Sequence, residues 1–353
     1  MKIHKILLKS LAVASSLVML TSASAEEVTL RVANYGGVFT AAQAKYAGDI
    51  FTQRTGVKIS WVDANPKDHF AKMMANRGRT APFDVVYLDD NVQADAIAAG
   101  LVDKLDENVV TNLSKLYPQA RNAQGFGPAI LYLSVGLAYN KDAFAKANVP
   151  APQSWLDLWN PALQGHVAIP DVSTIAGQDF VIAVARAMGG DESNVDAAMK
   201  KIGELRAKLI YKSSSVLRAQ LQGEDIWVAP WYNGRAWGMT DEGSPIVFTL
   251  PKEKGILGAT TIDMVKGTKH PKEAQMFINQ TLDPLAQLGQ AYEVPYGPTN
   301  EVLGPILQAY PDVSKKFPAS RADLEQLYAP DWDKVNTQYQ KWVEDWNRVV
   351  IGH

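Results

Sequence analysis

Apolar positions along this chain follow two periods that take turns. Val28-Thr29-Leu30-Arg31-Val32-Ala33 is β-rich and runs into Asn34-Tyr35-Gly36-Gly37. Over 38–55, Phe39, Ala42, Tyr46, Ile50 and Phe51 share one helical face, and Gly56 stops the helix. A second strand is predicted over 57–62 and a short helix over 67–76, with Phe70 and Met73 or Met74 turned inward. Asp84 to Leu88 is a continuous apolar run, as in a parallel strand covered on both faces. Residues 91–99 return as a helix ended by Gly100. Strands and helices that alternate over short links predict an α/β fold.

The same reading continues to the end. It predicts a buried strand over 129–139, then a helix opened by Pro152 and Ser154 that carries Trp155, Leu158 and Trp159. A strand at 167–169 leads through a loop, 170–177, into a helix over 178–188. A helix follows over 195–208, then a strand at 226–229 that opens into a loop, Pro230-Trp231-Tyr232-Asn233-Gly234. Strands are predicted at 246–250 and 261–265, and a helix from Pro271 to about Leu282. Near the end, Trp332, Val335, Tyr339, Trp342, Val343 and Trp346 form a helical stripe that should dock onto a core.

Length changes this picture first. A chain of 353 residues exceeds the usual size of one domain. No Pro/Gly/Ser-rich linker divides it, so the chain should cross between two lobes on strands. The first 25 residues stand apart. Lys2, Lys5 and Lys9 precede a mostly apolar run from Leu11 to Leu20, and Ala23-Ser24-Ala25 is a small-x-small cleavage site. That is the pattern of a secretory signal peptide, too short in its apolar run to span a bilayer. Cleavage takes three lysines and no acid from the 35 basic and 37 acidic residues, so the mature chain is acidic. No basic block or basic-aromatic stripe suggests a nucleic-acid partner. Zero cysteine excludes disulfides, thiolate metal sites, Cys nucleophiles and a Cys-linked lipid anchor. A free, soluble periplasmic protein is expected.

Catalytic patterns are missing. His69, His166, His270 and His353 sit in no H-E-x-x-H or similar spacing. A G-x-S-x-G elbow and a P-loop are absent, and Gly36-Gly37 lacks the third glycine of a dinucleotide fingerprint. No cofactor or metal is expected, and an exported enzyme built on dispersed Asp, Glu and Ser stands as an alternative class. Ligands of open α/β sheets bind beyond the carboxyl ends of the strands. There the chain places Tyr35, Asp89-Asp90, Asp171 to Thr174, Trp231-Tyr232, Arg235 and Thr260, with Tyr292, Glu293 and Tyr296 on the segment 289–300. Aromatic faces with carboxylates suit a cationic amine. An arginine suits an acid through its bidentate fork.

At these residues the sequence resembles the periplasmic solute-binding proteins of bacterial ABC importers, in the spermidine/putrescine-type branch. The landmarks are Asn34-Tyr35, Phe83-Asp84-Val85-Val86, Ser154-Trp155-Leu156-Asp157-Leu158-Trp159, Trp231-Tyr232-Asn233-Gly234, Leu250-Pro251-Lys252-Glu253-Lys254-Gly255 and Tyr296-Gly297-Pro298-Thr299-Asn300. They follow family order over nearly the whole mature chain. The resemblance implies a type II periplasmic binding protein fold: two α/β lobes with a ligand cleft between them. Lobe one would comprise 26–132 and 260–300, and lobe two 133–259 and 301–353. It also implies a monomer that hinges shut on its ligand and is recognised by an inner-membrane ABC permease. Family contacts to polyamines fall at Tyr35, near Asp90, at Asp171 and nearby Thr174, and at Tyr232. Near Gly258 and Thr260, polyamine binders carry an aromatic and an acid that clamp an amine, and here both are missing.

The expected ligand-binding set is therefore Tyr35, Asp90, Asp171, Thr174, Trp231, Tyr232, Arg235, Thr260 and Glu293. Loss of an acid and gain of Arg235 favour a small solute with both an amine and an acid, an amino-carboxylate, over a plain polyamine. Ferric iron fits less well, because the adjacent tyrosine pair of such iron binders is absent. N-terminal sequencing of the exported protein should begin at Glu26; an uncleaved start would remove the signal-peptide reading.

Overall fold

The computed structural model describes residues 27–352, so the expected leader lies outside the described residues. Twelve strands appear among them: β1 (Thr29–Asn34), β2 (Lys58–Asp63), β3 (Val85–Asp89), β4 (Val102–Asp103), β5 (Ala129–Asn140), β6 (Ala168–Pro170), β7 (Leu209–Tyr211), β8 (Val228–Tyr232), β9 (Ile246–Thr249), β10 (Gly255–Val265), β11 (Gly297–Pro298) and β12 (Leu327–Tyr328). The helices are α1 (Gly37–Gln43), α2 (Asp49–Thr55), α3 (Pro66–Ala75), α4 (Asp90–Ala98), α5 (Lys141–Lys146), α6 (Ile175–Ala187), α7 (Asp196–Leu205), α8 (Ser214–Gln222), α9 (Asn233–Asp241), α10 (Pro271–Thr281), α11 (Pro284–Glu293), α12 (Gly304–Gln308), α13 (Pro311–Ser314), α14 (Arg321–Glu325) and α15 (Trp332–Trp346). None of them is long and apolar enough to cross a membrane.

The large sheet runs in the order β11-β5-β10-β3-β1-β2. β1, β2 and β3 are parallel, as their apolar runs and intervening helices require. β10 lies antiparallel to β3 on one side and to β5 on the other. β5 is long enough to serve two neighbourhoods. Its first part pairs with β11 and with the middle of β10, while Val135 to Asn140 pair with β8 and β9. β6 and β7 form a separate parallel pair, bridged to β8 at Val167 and Val228.

Two large hydrophobic cores flank this arrangement. Leu30, Val32, Phe51, Tyr87, Leu131, Ile262 and Phe277 belong to the first. Leu137, Trp155, Ile169, Phe180, Val228 and Trp342 belong to the second. β5 contributes to both, with Ile130 and Tyr132 in the first and Val135 and Leu137 in the second. β10 divides likewise, with Ile256 in the second and Leu257 and Ile262 in the first. The chain passes a third time at 327–332: Leu327 packs in the first core and Trp332 in the second. Trp332, Val335, Trp342 and Trp346 of α15 are buried in the second core, as their helical spacing predicts.

Several boundaries differ from the sequence reading. The strand expected at 261–265 starts at Gly255, because Gly255 and Gly258 hide the period. Both glycines sit in close quarters: a Cβ at Gly258 would stand 2.5 Å from Leu133 Cδ1, so that side chain would have to shift, and one at Gly255 would stand 2.9 Å from the Val135 carbonyl. Residues 155–159 form a single 3-10 turn, held by a capping box between Ser154 and Asp157. Pro230, read as the start of a loop, lies inside β8 opposite Leu137, and α9 begins directly at Asn233. The segment expected as a loop from 289 is the end of α11.

The crossing strand tolerates little bulk at Gly136, where a Cβ would stand 2.5 Å from the Thr249 carbonyl and 2.7 Å from Phe248 Cζ. Gly136→Ala should therefore lower unfolding free energy by about 1–3 kcal/mol. A denaturant midpoint equal to that of the parent would contradict this packing.

Candidate functional site

β1 and β3 lie side by side and end at the same edge. Their last residues open into a cavity of about 660 Å³. Elements of the first core bring Tyr35, Asp89, Thr260 and Tyr296 to its wall, elements of the second bring Ile175, Asp179 and Tyr232, and α9, which packs in a third core, brings Arg235.

Tyr35 is set by the turn that follows β1. Gly36 and Gly37 take φ of 88° and 58°, a region open to glycine, and the chain bends straight into α1. The Tyr35 ring is held edge-on by Phe39, with centroids 4.9 Å apart. Its hydroxyl donates to Asp89 Oδ1 at 2.7 Å and lies 3.3 Å from Thr260 Oγ1. Thr260 sits at a register shift between β5 and β10, where an irregular ladder redirects a side chain. Burial pushes the Asp89 carboxyl upward, and the Tyr35 hydrogen bond and the Lys67 charge partly offset this.

Asp179 comes from the other side. Thr174 caps α6 by accepting from Gly177 N, which fixes where the helix starts. Ile175 and Asp179 are one turn apart and both line the cavity. Asp179 is 1% exposed, and its Oδ1 has no hydrogen-bond partner among the described residues. Burial, reinforced by the like charges of Asp90 and Asp89, holds this carboxyl well above the usual carboxylate range. Tyr232 ends β8 and turns to the cavity, and burial raises its hydroxyl pKa too. Gly234 lets Tyr296 pack close, since a Cβ there would be 2.6 Å from Tyr296 Cε1. Arg235 is exposed at the wall and takes part in none of the ion pairs among the described residues.

Of the residues expected from sequence, Tyr35, Tyr232, Arg235, Thr260 and Glu293 come together here. Four do not line this cavity. Strand alternation sends Trp231 to the opposite face of β8 from Tyr232, into a third core with Ala229, Ala236 and Met239, where its indole donates to Ser214 Oγ at 3.1 Å. Asp90 accepts from Asn91 N at 2.9 Å and from Ala259 N at 3.2 Å, and lines a separate cavity beside Trp332. Burial pushes its carboxyl up to about 7. Asp171 is spent on its own turn: Oδ1 accepts from Ser173 N at 2.9 Å and from Ser173 Oγ at 2.5 Å. Thr174 is spent on the α6 cap. Glu293 is at the wall but already engaged by Lys45 Nζ at 2.9 Å and Tyr46 OH at 3.0 Å.

Asp89, Asp179 and Ser214 at the wall were not in the expected set. Asp89 was visible as one half of an Asp-Asp pair after a strand. Asp179 carried a sharper signal, as a lone acid directly before the apolar run Phe180-Val181-Ile182-Ala183-Val184.

The sequence pattern of the family described as bacterial extracellular solute-binding protein matches residues 47–317. The chain belongs to this family. Among curated relatives, a gamma-aminobutyric acid-binding protein of Pseudomonas aeruginosa is 24% identical over 324 residues, covering 88% of this chain and 87% of that one. A spermidine/putrescine-binding periplasmic protein of Escherichia coli is 27% identical over 252 residues, covering 66% and 68%. A crystal structure of an ABC transporter from Clostridium perfringens superposes with a TM-score of 0.78 at 25% identity, covering 91% of this chain and 99% of that one. The fold is thus α/β and periplasmic-binding-protein-like. This solute-binding protein serves an ABC importer and is not an enzyme, and a periplasmic location is typical of its family.

Trp231 should matter for stability. Trp231→Ala removes a side chain that is 1% exposed, so it should cost about 3–5 kcal/mol of unfolding free energy. Chemical denaturation would reveal it, and an unchanged midpoint would return Trp231 to the list of solvent-facing candidates.

Proposed function

We propose that this solute-binding protein takes up a small amino-carboxylate, holding its ammonium at Asp89 and Asp179 and its acid at Arg235. One observation carries the reading: a single cavity is lined by both Asp179, a buried carboxylate whose Oδ1 has no hydrogen-bond partner among the described residues, and Arg235, whose guanidinium is in none of the ion pairs among them. A zwitterion answers both groups, whereas a plain cation or a plain anion answers one. Tyr35, Tyr232 and Tyr296 add aromatic faces that suit both the ammonium and a short alkyl chain. Similarity to a relative named for gamma-aminobutyric acid supports the same class.

The cavity draws on both cores, and this supports a two-lobe mechanism. One lobe would contain 26–132 and 260–300, and the other 133–259 with α15. The segment around Leu324 and Leu327 would travel with the first lobe, into whose core it packs. Hinge closure would bend β5, β10 and the 327–332 crossing. Closure is favoured only as far as the ligand contacts the closed form better than the open one. A monomer of this kind would deliver its solute to an inner-membrane permease.

A second reading is a diamine. It draws support from acids near the cavity that outnumber Arg235, with Asp89 and Asp179 supplying counter-charge that Thr260 lacks, and from similarity to the spermidine/putrescine relative. Calorimetry with 4-aminobutyrate, putrescine and spermidine separates the two. The amino acid should bind, and Arg235→Gln should weaken it at least tenfold, about 1.4 kcal/mol. Tight binding of putrescine or spermidine, with none of the amino acid, would replace the first reading with the second.

A further inference from the structure

The cavity's acids and cations are out of balance, and Asp179 bears most of the imbalance. Asp89 and Asp90 both act on it as like charges, from β3 and α4. Asp179 in turn raises the hydroxyl pKa of Tyr211 on β7 and of Tyr232 on β8. The nearby cations work on other groups: Lys67 of α3 acts on Asp89, and Arg235 of α9 acts on Tyr296. Asp89 has the Tyr35 hydroxyl, and Asp90 has two backbone N–H donors. Asp179 Oδ1 is buried with no hydrogen-bond partner among the described residues. A buried carboxylate without counter-ion or donor is far less stable than the neutral acid.

We propose that Asp179 carries a proton in the empty cavity and yields it to solvent when a ligand ammonium docks beside it. The proposal rests on the reading of the cavity as an amine site. Amine binding is then an exchange. The ligand arrives with its ammonium intact, the Asp179 O–H bond breaks, the proton leaves to water, and an ammonium–carboxylate pair remains. The ammonium's positive charge takes the place of the departing proton's at Asp179, so neither state leaves this carboxylate as a lone buried ion. Two consequences follow from linkage. The association constant rises with pH by up to about tenfold per unit while Asp179 is protonated in the empty form. Reciprocally, the bound amine lowers the proton affinity of Asp179 by the factor by which the ionised form binds the amine more tightly than the protonated form.

The test uses the full mature chain and two readouts. Carbon-13 NMR of carboxyl-labelled aspartate, with Asp179 assigned by loss of its signal in Asp179→Asn, reports the empty protein directly. At about pH 6 the Asp179 carbon should sit at the neutral-acid position, where an ordinary aspartate is ionised. Addition of 4-aminobutyrate or putrescine should move it to the carboxylate position. Calorimetry in phosphate and in Tris should then show about one proton released per amine bound, and the pH slope should vanish in Asp179→Asn. An ionised Asp179 in the empty protein would overturn the proposal whatever the ligand is. A neutral Asp179 that stays neutral while an amine binds would overturn the exchange and leave the amine site standing. A neutral Asp179 with no amine bound at all would overturn the amine reading and the exchange with it.

Discussion

Everything in this structure hangs on two strands that belong to two cores at once. β5 and β10 are antiparallel neighbours, and each buries one stretch in the first core and another in the second. A backbone inside a sheet has its N–H and C=O groups paired on both sides, so it can bend but cannot become a free linker. That constraint explains why the chain has no linker-like composition anywhere between its halves. It also explains the glycines. Gly255 and Gly258 bring β10 against side chains of Leu250 and Leu133 closer than a Cβ permits, exactly where the strand passes from one core to the other. The cavity opens beside this crossing, with Gly258, Ala259 and Thr260 in its wall. Small side chains on the strand leave room for a solute, and the rigid ladder beneath them fixes the floor.

How much of this could be read in advance follows from how local each cause is. β1, β2 and β3 and the helices between them were legible because period and burial agree over whole elements. The tryptophan stripe of α15 was legible for the same reason. Failures occurred where a nonlocal partner decides the conformation. Pro230 has no N–H for a ladder and reads as a breaker, yet pairing of β8 with β5 over Val135 to Tyr139 carries the strand through it. The length of β10 was hidden by its glycines, whose close neighbours include the Val135 carbonyl at Gly255 and Leu133 at Gly258, both more than a hundred residues away.

The candidate site divides along the same line. Tyr35, Tyr232, Arg235 and Thr260 follow strands directly, and an element end can be located from a period. Trp231 could not be separated from Tyr232 while both were thought to lie in a loop, because a loop has no alternating faces. Once the strand is extended by three residues, its pleat decides between them. Asp171 and Thr174 illustrate a different ambiguity. Aspartate and threonine before a helix serve backbone donors as readily as ligands, and here the local hydrogen bonds take them.

Partners distinguish the acids better than burial does. Asp263 is 0% exposed, yet Gln93 Nε2 reaches its two oxygens at 2.9 and 2.8 Å, Gly127 N donates at 2.9 Å and Thr261 Oγ1 at 3.1 Å. Its carboxyl is pushed up only to about 6, and its role is to tie β10 to α4 and to the start of β5. Asp179 is as deeply buried and has no such bonds at its Oδ1. An unsatisfied buried polar atom costs about 1–3 kcal/mol, and more when it is charged. A cost of that size at one residue, beside a cavity, is not needed to build the fold, since α6 is anchored by Phe180, Val181 and Val184. It is what a binding protein requires: an unfilled demand that the fold tolerates when empty and that the right solute removes.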